Sequence, residues 1–300
     1  MGSEENIIPT PVKTPSSWGS STAIEKMKKK TMSNPVYLKG EIRQNKKMGS
    51  LYHCLSILLP HAIDSIIPGQ FAMLSIEGRK DVLLPRPFSI HKFARKGSAS
   101  YLDFLFKIVG KGTTLLAELS ISSSIRVLAP LGNAFPDPPA GYRALIIAGG
   151  MGIAPLFPLI LRLKTFSSSV SVLYGAKSRD DLICLPQLLD MRNITIKITT
   201  EDGTEGEAGL VTKLLDREEV ETGAKTAIYA CGPEPMLKRV ADFAAEGKMP
   251  CWVSLERRMA CGVGACLGCV TKTKEGYTCT CKEGPIFASQ DIMWTDDAEP

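Results

Sequence analysis

The chain changes rhythm at Pro136-Asp-Pro-Pro-Ala-Gly141, and that change limits what it can fold into. Before this linker-like run, short β-like stretches separated by turn residues recur at 51–59, 70–76, 101–109 and 125–129. Such spacing predicts a small antiparallel barrel or sandwich. After it, strands expected at 144–148, 170–174, 194–199 and 227–230 alternate with helices expected at 155–165, 181–190, 209–215 and 235–246. Alternation of this kind predicts a parallel sheet. Residues 251–300 break the pattern and hold six of the nine cysteines. The expected fold is α+β and multidomain. A flexible extension (1–35) precedes an antiparallel β-barrel (36–138), an α/β parallel-sheet nucleotide-binding domain (139–250) and a small C-terminal cysteine lobe (251–300).

Charge and hydropathy exclude two other classes. The net charge of +5 sits wholly in the first 50 residues, where nine Lys/Arg meet four Glu. Lys26, Lys28, Lys29 and Lys30 cluster there as a solvated basic run, and the remaining chain is no nucleic-acid binder. The uncharged stretch 144–161 just reaches membrane-spanning length. Gly149, Gly150, Gly152, Pro155 and Pro158 would break such a helix in lipid, so no membrane span is expected. The start lacks a basic leader and an apolar core, and the cysteine count is odd. Both features point to a reducing cytoplasm.

In the cysteine lobe, Cys261-Gly-Val-Gly-Ala-Cys266-Leu-Gly-Cys269 is a C-x4-C-x2-C run followed by Cys279-Thr-Cys281. A distant fourth cysteine completes the spacing of plant-type [2Fe–2S] sites. Gly262, Gly264 and Gly268 suit the tight turns that wrap thiolates round a compact cluster. Structural zinc is the rival, although a one-residue Cys279/Cys281 spacing makes a poor knuckle. Redox-active thiols are a third reading. On spacing alone, either Cys279 or Cys281 could be the fourth ligand. Cys54, Cys184 and Cys251 carry no motif and read as small core residues.

Glycine-bearing turns supply the other signals. Ala148-Gly-Gly-Met-Gly-Ile-Ala-Pro155 follows an apolar strand and opens a helix, and Tyr229-Ala-Cys231-Gly232-Pro233 does the same later. Two such turns at the carboxyl ends of parallel strands are what a nucleotide crevice requires. In the β-domain, Arg86-Pro87-Phe88-Ser89 and Gly110-Lys-Gly112-Thr113-Thr114 are a cation-bearing turn and a second phosphate-cradle candidate.

Together these residues resemble the ferredoxin–NADP reductase superfamily with a C-terminal [2Fe–2S] lobe, and within it the electron-transfer subunits of type B dihydroorotate dehydrogenases. The resemblance rests on Arg86–Ser89, Gly110–Thr113, Pro130–Phe135, Gly149–Pro155, Cys231–Pro233, Ser254–Cys269 and Cys281–Phe287, and covers about residues 36–290.

Several expectations follow from that resemblance. Arg86, Pro87, Phe88 and Ser89 would hold FAD, Leu105, Phe106 and Lys107 would line it, and Gly112 and Thr113 would meet its diphosphate. Gly149, Gly150, Gly152, Pro155 and Gly232 would meet NAD(H). Cys231 would lie at the catalytic edge where hydride passes. Cys261, Cys266, Cys269 and Cys281 would hold the cluster, with Cys279 a bystander. NADP(H) stays open because Arg179 could accept a 2′-phosphate.

Nicotinamide delivers two electrons as hydride, an iron–sulfur cluster carries one, and a flavin converts between them. The implied partner in this hetero-oligomer (a heterotetramer) is an FMN-containing dihydroorotate dehydrogenase catalytic subunit that oxidises dihydroorotate to orotate in pyrimidine biosynthesis. A ferredoxin- or sulfide-type NAD(P)H oxidoreductase subunit is the alternative enzyme reading, and a metal-binding regulatory module the non-enzyme one. His53, His61 and His91 look incidental.

Overall fold

A computed structural model describes residues 34–79, 82–165, 169–217 and 225–294. The basic run at 26–30 lies outside them. The first unit is a closed antiparallel barrel of β1 (Val36–Lys47), β2 (Tyr52–Leu59), β3 (Phe71–Ile76), β4 (Arg86–Lys96), β5 (Ala99–Lys107) and β6 (Ser124–Leu131), in the order β1-β2-β5-β4-β3-β6. Alternate residues such as Leu55, Ile57, Leu102, Phe104, Ile125 and Val127 point inward and are fully buried, which is the period-two pattern of a half-buried strand. Helix α1 (Lys111–Ala117) leads from β5 towards β6. Strands β1 and β4 were not among the stretches expected from sequence. Their outward residues are charged, as in Lys-Gly-Glu-Ile-Arg-Gln-Asn-Lys-Lys, so only the barrel's closure reveals them as strands.

The second unit is a seven-stranded sheet. Its strands are β7 (Arg143–Gly149), β8 (Val170–Ala176), β9 (Ile194–Thr200), β10 (Glu207–Ala208), β11 (Thr226–Cys231), β12 (Cys251–Ser254) and, after the lobe hairpin, β15 (Ile286–Ala288). Their order is β10-β9-β8-β7-β11-β12-β15, parallel throughout except for the last pair. Its helices are α2 (Ile153–Leu163), α3 (Leu185–Leu189) and α4 (Glu234–Glu246). The helix expected at 181–190 is instead a 3-10 turn (Arg179–Asp181) followed by the short α3, and the one expected at 209–215 is the 3-10 segment Val211–Arg217. The sheet runs past residue 250, because Cys251–Ser254 pairs with β11. The order reverses between β7 and β11, which places the ligand crevice at the carboxyl ends of those two strands.

The lobe carries the hairpin β13 (Val270–Thr273) and β14 (Gly276–Cys279) and the single turn α5 (Thr280–Glu283). Asn133, at the end of the barrel, fastens it. Its Nδ2 donates to the carbonyls of Glu283 (2.8 Å) and Ile286 (2.7 Å), and its Oδ1 accepts from the Ile286 N–H (2.9 Å). Among the described residues, no helix is long and apolar enough to cross a membrane.

Candidate functional site

The predicted residues fall on three parts of the molecule: the barrel, the cleft between barrel and sheet, and the cysteine lobe packed on the barrel. On the barrel, Arg86 begins β4 and its guanidinium lies against Gly112 in the first turn of α1, where a Cβ would overlap it. A guanidinium held against the glycine of a tight first turn is an arrangement that could receive a diphosphate. Thr113 acts indirectly. Its hydroxyl accepts from the Val109 and Gly110 N–H groups (2.9 and 3.1 Å) and donates to the Gly110 carbonyl (2.9 Å), fixing the loop that forms the cradle. Strand β5 splits the expected flavin-lining trio. Phe106 points into the barrel against Phe88 and His53, whereas Leu105 and Lys107 face the sheet. Pro87 and Ser89 lie half-buried on β4, paired with Met73 and Phe71 of β3.

The cleft between barrel and sheet holds about 610 Å3. Gly149, Gly150, Gly152 and Gly232 line it, with Pro155 buried in the first turn of α2 behind them. Residue 152 must lack a side chain, because a Cβ there would run into the Cys231 carbonyl; the two turns thus pack backbone to backbone. The Cys231 side chain is 1% exposed, and burial pushes its thiol pKa well up. It therefore presents a neutral, compact surface rather than a thiolate nucleophile.

The structure adds residues that the sequence did not flag. Asp181 accepts from Lys107 Nζ (3.1 Å), from the Tyr52 hydroxyl and from Ser178 Oγ (3.0 Å), so a carboxylate of the sheet domain meets a cation of the barrel inside the cleft. Burial alone would raise its pKa, and those three donors reverse the effect and hold the carboxyl below its ordinary value. Glu201 and Glu256 also line the cleft, at the ends of β9 and β12. No local motif marks these residues; only the sheet order brings them together. Arg179 points elsewhere, largely exposed, with Nε 3.6 Å from Glu205.

In the lobe, Gly262 and Gly264 adopt φ of +74° and +79°, the left-handed turns that the cysteine loop needs, whereas Gly268, expected to do the same, does not, and Leu267 beside it does (+55°). Val263 N–H donates to Cys261 Sγ (3.4 Å) and Gly264 N–H to Cys281 Sγ (3.1 Å). The first contact leads in lowering the Cys261 thiol to about 6. Burial, then the neighbouring Cys269, pushes Cys281 up to about 12, so binding to a metal would displace its proton to solvent.

Gly264 sits between Cys261 and Cys266 and meets Cys281 Sγ, and the Thr280 N–H donates to the Cys269 carbonyl (2.9 Å), so the fourth cysteine is brought onto the C-x4-C-x2-C loop. Four thiols gathered on one loop and its partner turn fit a [2Fe–2S] cluster. Cys269, Cys279 and Cys281 pack on Phe71, Met73 and Leu131 of the barrel.

A six-stranded barrel, a parallel nucleotide sheet and a four-cysteine lobe packed on the barrel define a ferredoxin–NADP-reductase-like oxidoreductase with an iron–sulfur domain. Residues 256–293 match the iron-sulfur cluster binding domain of dihydroorotate dehydrogenase B, and residues 146–242 an oxidoreductase NAD-binding domain. The dihydroorotate dehydrogenase B (NAD(+)) electron transfer subunit of Desulforamulus reducens is 37% identical over 76% of this chain and 87% of its own length. That of Clostridium perfringens is 31% identical over 85% and 98%. This chain belongs to that family of electron-transfer subunits. Among solved structures, an NADH-dependent reduced ferredoxin–NADP oxidoreductase superposes with a TM-score of 0.72 at 26% identity, over 85% of this chain and 90% of that one. The ferredoxin reductase of carbazole 1,9a-dioxygenase shares the fold at a TM-score of 0.62 and 18% identity, over 72% and 67%.

Proposed function

We propose that this chain carries electrons between NAD(H) and a partner subunit that bears FMN and oxidises dihydroorotate to orotate. FAD would rest on Arg86, Pro87, Phe88, Ser89, Leu105, Gly112 and the loop braced by Thr113, and a [2Fe–2S] cluster on Cys261, Cys266, Cys269 and Cys281. When bound, the flavin supplies the conversion between hydride and single electrons, and the cluster a one-electron exit. The chain's own part is placement. Gly149, Gly150, Gly152 and Gly232 leave room for a pyridine nucleotide at the switch point, and buried Cys231 forms a neutral, water-excluding floor where hydride would pass.

One observation carries this reading. Phe71 and Met73 of β3 pack against Cys269 and Cys281 and pair across the sheet with Ser89 and Pro87. The flavin turn on β4 therefore lies one strand, roughly 5 Å at the backbone, from the β3 residues against which the cysteine lobe packs.

The nucleotide is read as NAD(H), since Glu201 lines the cleft at the end of β9 and would repel a 2′-phosphate, while Arg179 is turned away. The setting is read as cytoplasmic. Mixing the purified chain with an FMN-bearing, dihydroorotate-oxidising subunit tests the partner: NAD+ should be reduced by dihydroorotate only when both are present. Equal NAD+ reduction without this chain, or failure to associate alongside efficient reduction of ferredoxin, would overturn the partner in favour of the ferredoxin-type reading.

A further inference from the structure

Strand alternation sends Ala72 and Leu74 into the barrel and turns Phe71 and Met73 outward, to the side that a free-standing barrel would show to water. Met73 is nevertheless only 2% exposed, because the cysteine lobe sits on it. Gly262 is the point of contact. A Cβ there would stand 2.5 Å from Met73 Cγ, 3.1 Å from its Sδ and 3.2 Å from Leu131 Cδ1. The backbone between Cys261 and Cys266 thus rests directly on these two side chains.

The four cysteines are unequally sheltered as a result. Cys269 and Cys281 lie against the barrel and are 2% exposed, whereas Cys266 is exposed and Cys261 partly so. Phe71, Met73 and Leu131 form the wall on the sheltered side. Phe71 supports the other end of the lobe, where Gly132 packs on Pro285 and on the Phe71 ring. Met73 combines two contacts. It carries the cysteine loop, and it pairs with Pro87 of the flavin turn across β3 and β4.

We propose that Met73 is a positioning residue for electron transfer: its side chain is the dry spacer that fixes how the cysteine loop stands on the flavin strand's neighbour, and it keeps the potential of a cluster held there low. The inference rests on the reading above. Reduction by one electron adds a negative charge among four thiolates. A wall of carbon and thioether excludes water and offers that charge no hydrogen bond, so it disfavours the reduced form. Water or an N–H donor in the same place would favour it. A thioether suits the position, because an unbranched, polarisable side chain fills the irregular gap beneath a glycine turn. Met73 itself is neither oxidised nor reduced as an electron passes from flavin to cluster.

The test is a mediator-buffered redox titration of the full chain carrying FAD and cluster, followed by electron paramagnetic resonance, which reads the potential without NADH. Met73→Ala should retain FAD and the reduced-cluster signal. It should shift the one-electron equilibrium between flavin and cluster about tenfold towards the reduced cluster, equivalent to about 59 mV upward. Met73→Leu keeps the volume and the dry wall and should stay within about twofold of wild type. Met73→Gln keeps nearly the same length but brings an amide N–H, and should shift the equilibrium in the same direction as alanine. The leucine and glutamine variants decide the matter if Met73→Ala fails to hold its cluster. An unchanged potential in the alanine and glutamine variants at full cluster content would overturn the proposal, as would a leucine variant shifted as far as either. If the wild-type chain holds no flavin or shows no reduced-cluster signal, the underlying reading fails instead.

Discussion

The Arg86 guanidinium, at the start of β4, occupies the space that a side chain at residue 112 would need, so Gly112 and Arg86 form one contact between strand and helix. Residue 112 lies in the first turn of α1. There, alanine would normally favour the helix by up to about 1 kcal/mol. Gly112→Ala should therefore leave the melting temperature unchanged or slightly higher while weakening FAD binding at least tenfold, about 1.4 kcal/mol. Equilibrium FAD release followed by fluorescence, beside a thermal melt, separates the two effects. Unchanged FAD affinity would remove Arg86 and Gly112 from the flavin site.

The cysteine loop makes a second prediction. Cys281→Ser should abolish or severely deplete the iron–sulfur absorption and electron paramagnetic resonance signals while FAD stays bound. Cys281 Sγ takes the Gly264 N–H (3.1 Å), which brings it onto the cysteine loop. Cys279→Ser should retain both signals. Its residue ends β14 and packs on the barrel cluster of Phe71, Met73 and Leu131. The reverse pattern would exchange the two assignments.

The Lys107–Asp181 bridge ties the barrel to the sheet. Replacing Asp181 with Ala should cost about 1–2 kcal/mol at neutral pH, since both partners are partly buried and hydrogen-bonded. Asp181 has a folded-state pKa below the ordinary 3.8. Its contribution is therefore complete above 3.8 and is lost as pH falls through the lower folded value. The gap in melting temperature between wild type and variant should hold from pH 7 to about 5 and narrow as the pH falls below the ordinary carboxylate range. A gap that stayed constant into acid would show that the carboxylate charge does not matter there.

The parts legible in sequence were those set by local chemistry. The left-handed turns at Gly262 and Gly264 demand glycine, the cysteine spacing follows from wrapping a compact group, and the turns after β7 and β11 announce themselves after apolar strands. Relationships made by topology were not legible. Strand β1 presents charged residues to water and buries only alternate positions, so its apolar signal is thin. Cys251–Ser254 reads as part of the lobe until parallel pairing with β11 makes it sheet. Phe106 was grouped with its neighbours, yet strand alternation turns it into the barrel. Tyr52, Asp181 and Glu256 come from distant segments that only the closed barrel and the strand order bring to one cleft.

Nucleotide preference supplies a fourth prediction. Glu201→Ser should raise the efficiency with NADPH relative to NADH by about tenfold, as a negative charge near the ribose is removed. Arg179→Ala should leave that ratio unchanged, because the side chain is exposed and directed at Glu205. The two ratios of kcat/KM decide the point; a collapse of NADPH use in Arg179→Ala would restore Arg179 as the phosphate contact.

The central claim is that one cleft joins pyridine nucleotide, flavin and cluster in a single chain. Its most direct test is an anaerobic absorbance titration of the purified full-length protein with NADH, repeated with NADPH. The flavin and iron–sulfur bands should both bleach with NADH, and far less readily with NADPH. A purified protein lacking flavin absorption, or one whose cluster bands stay unchanged while NADH is present in excess, would contradict it.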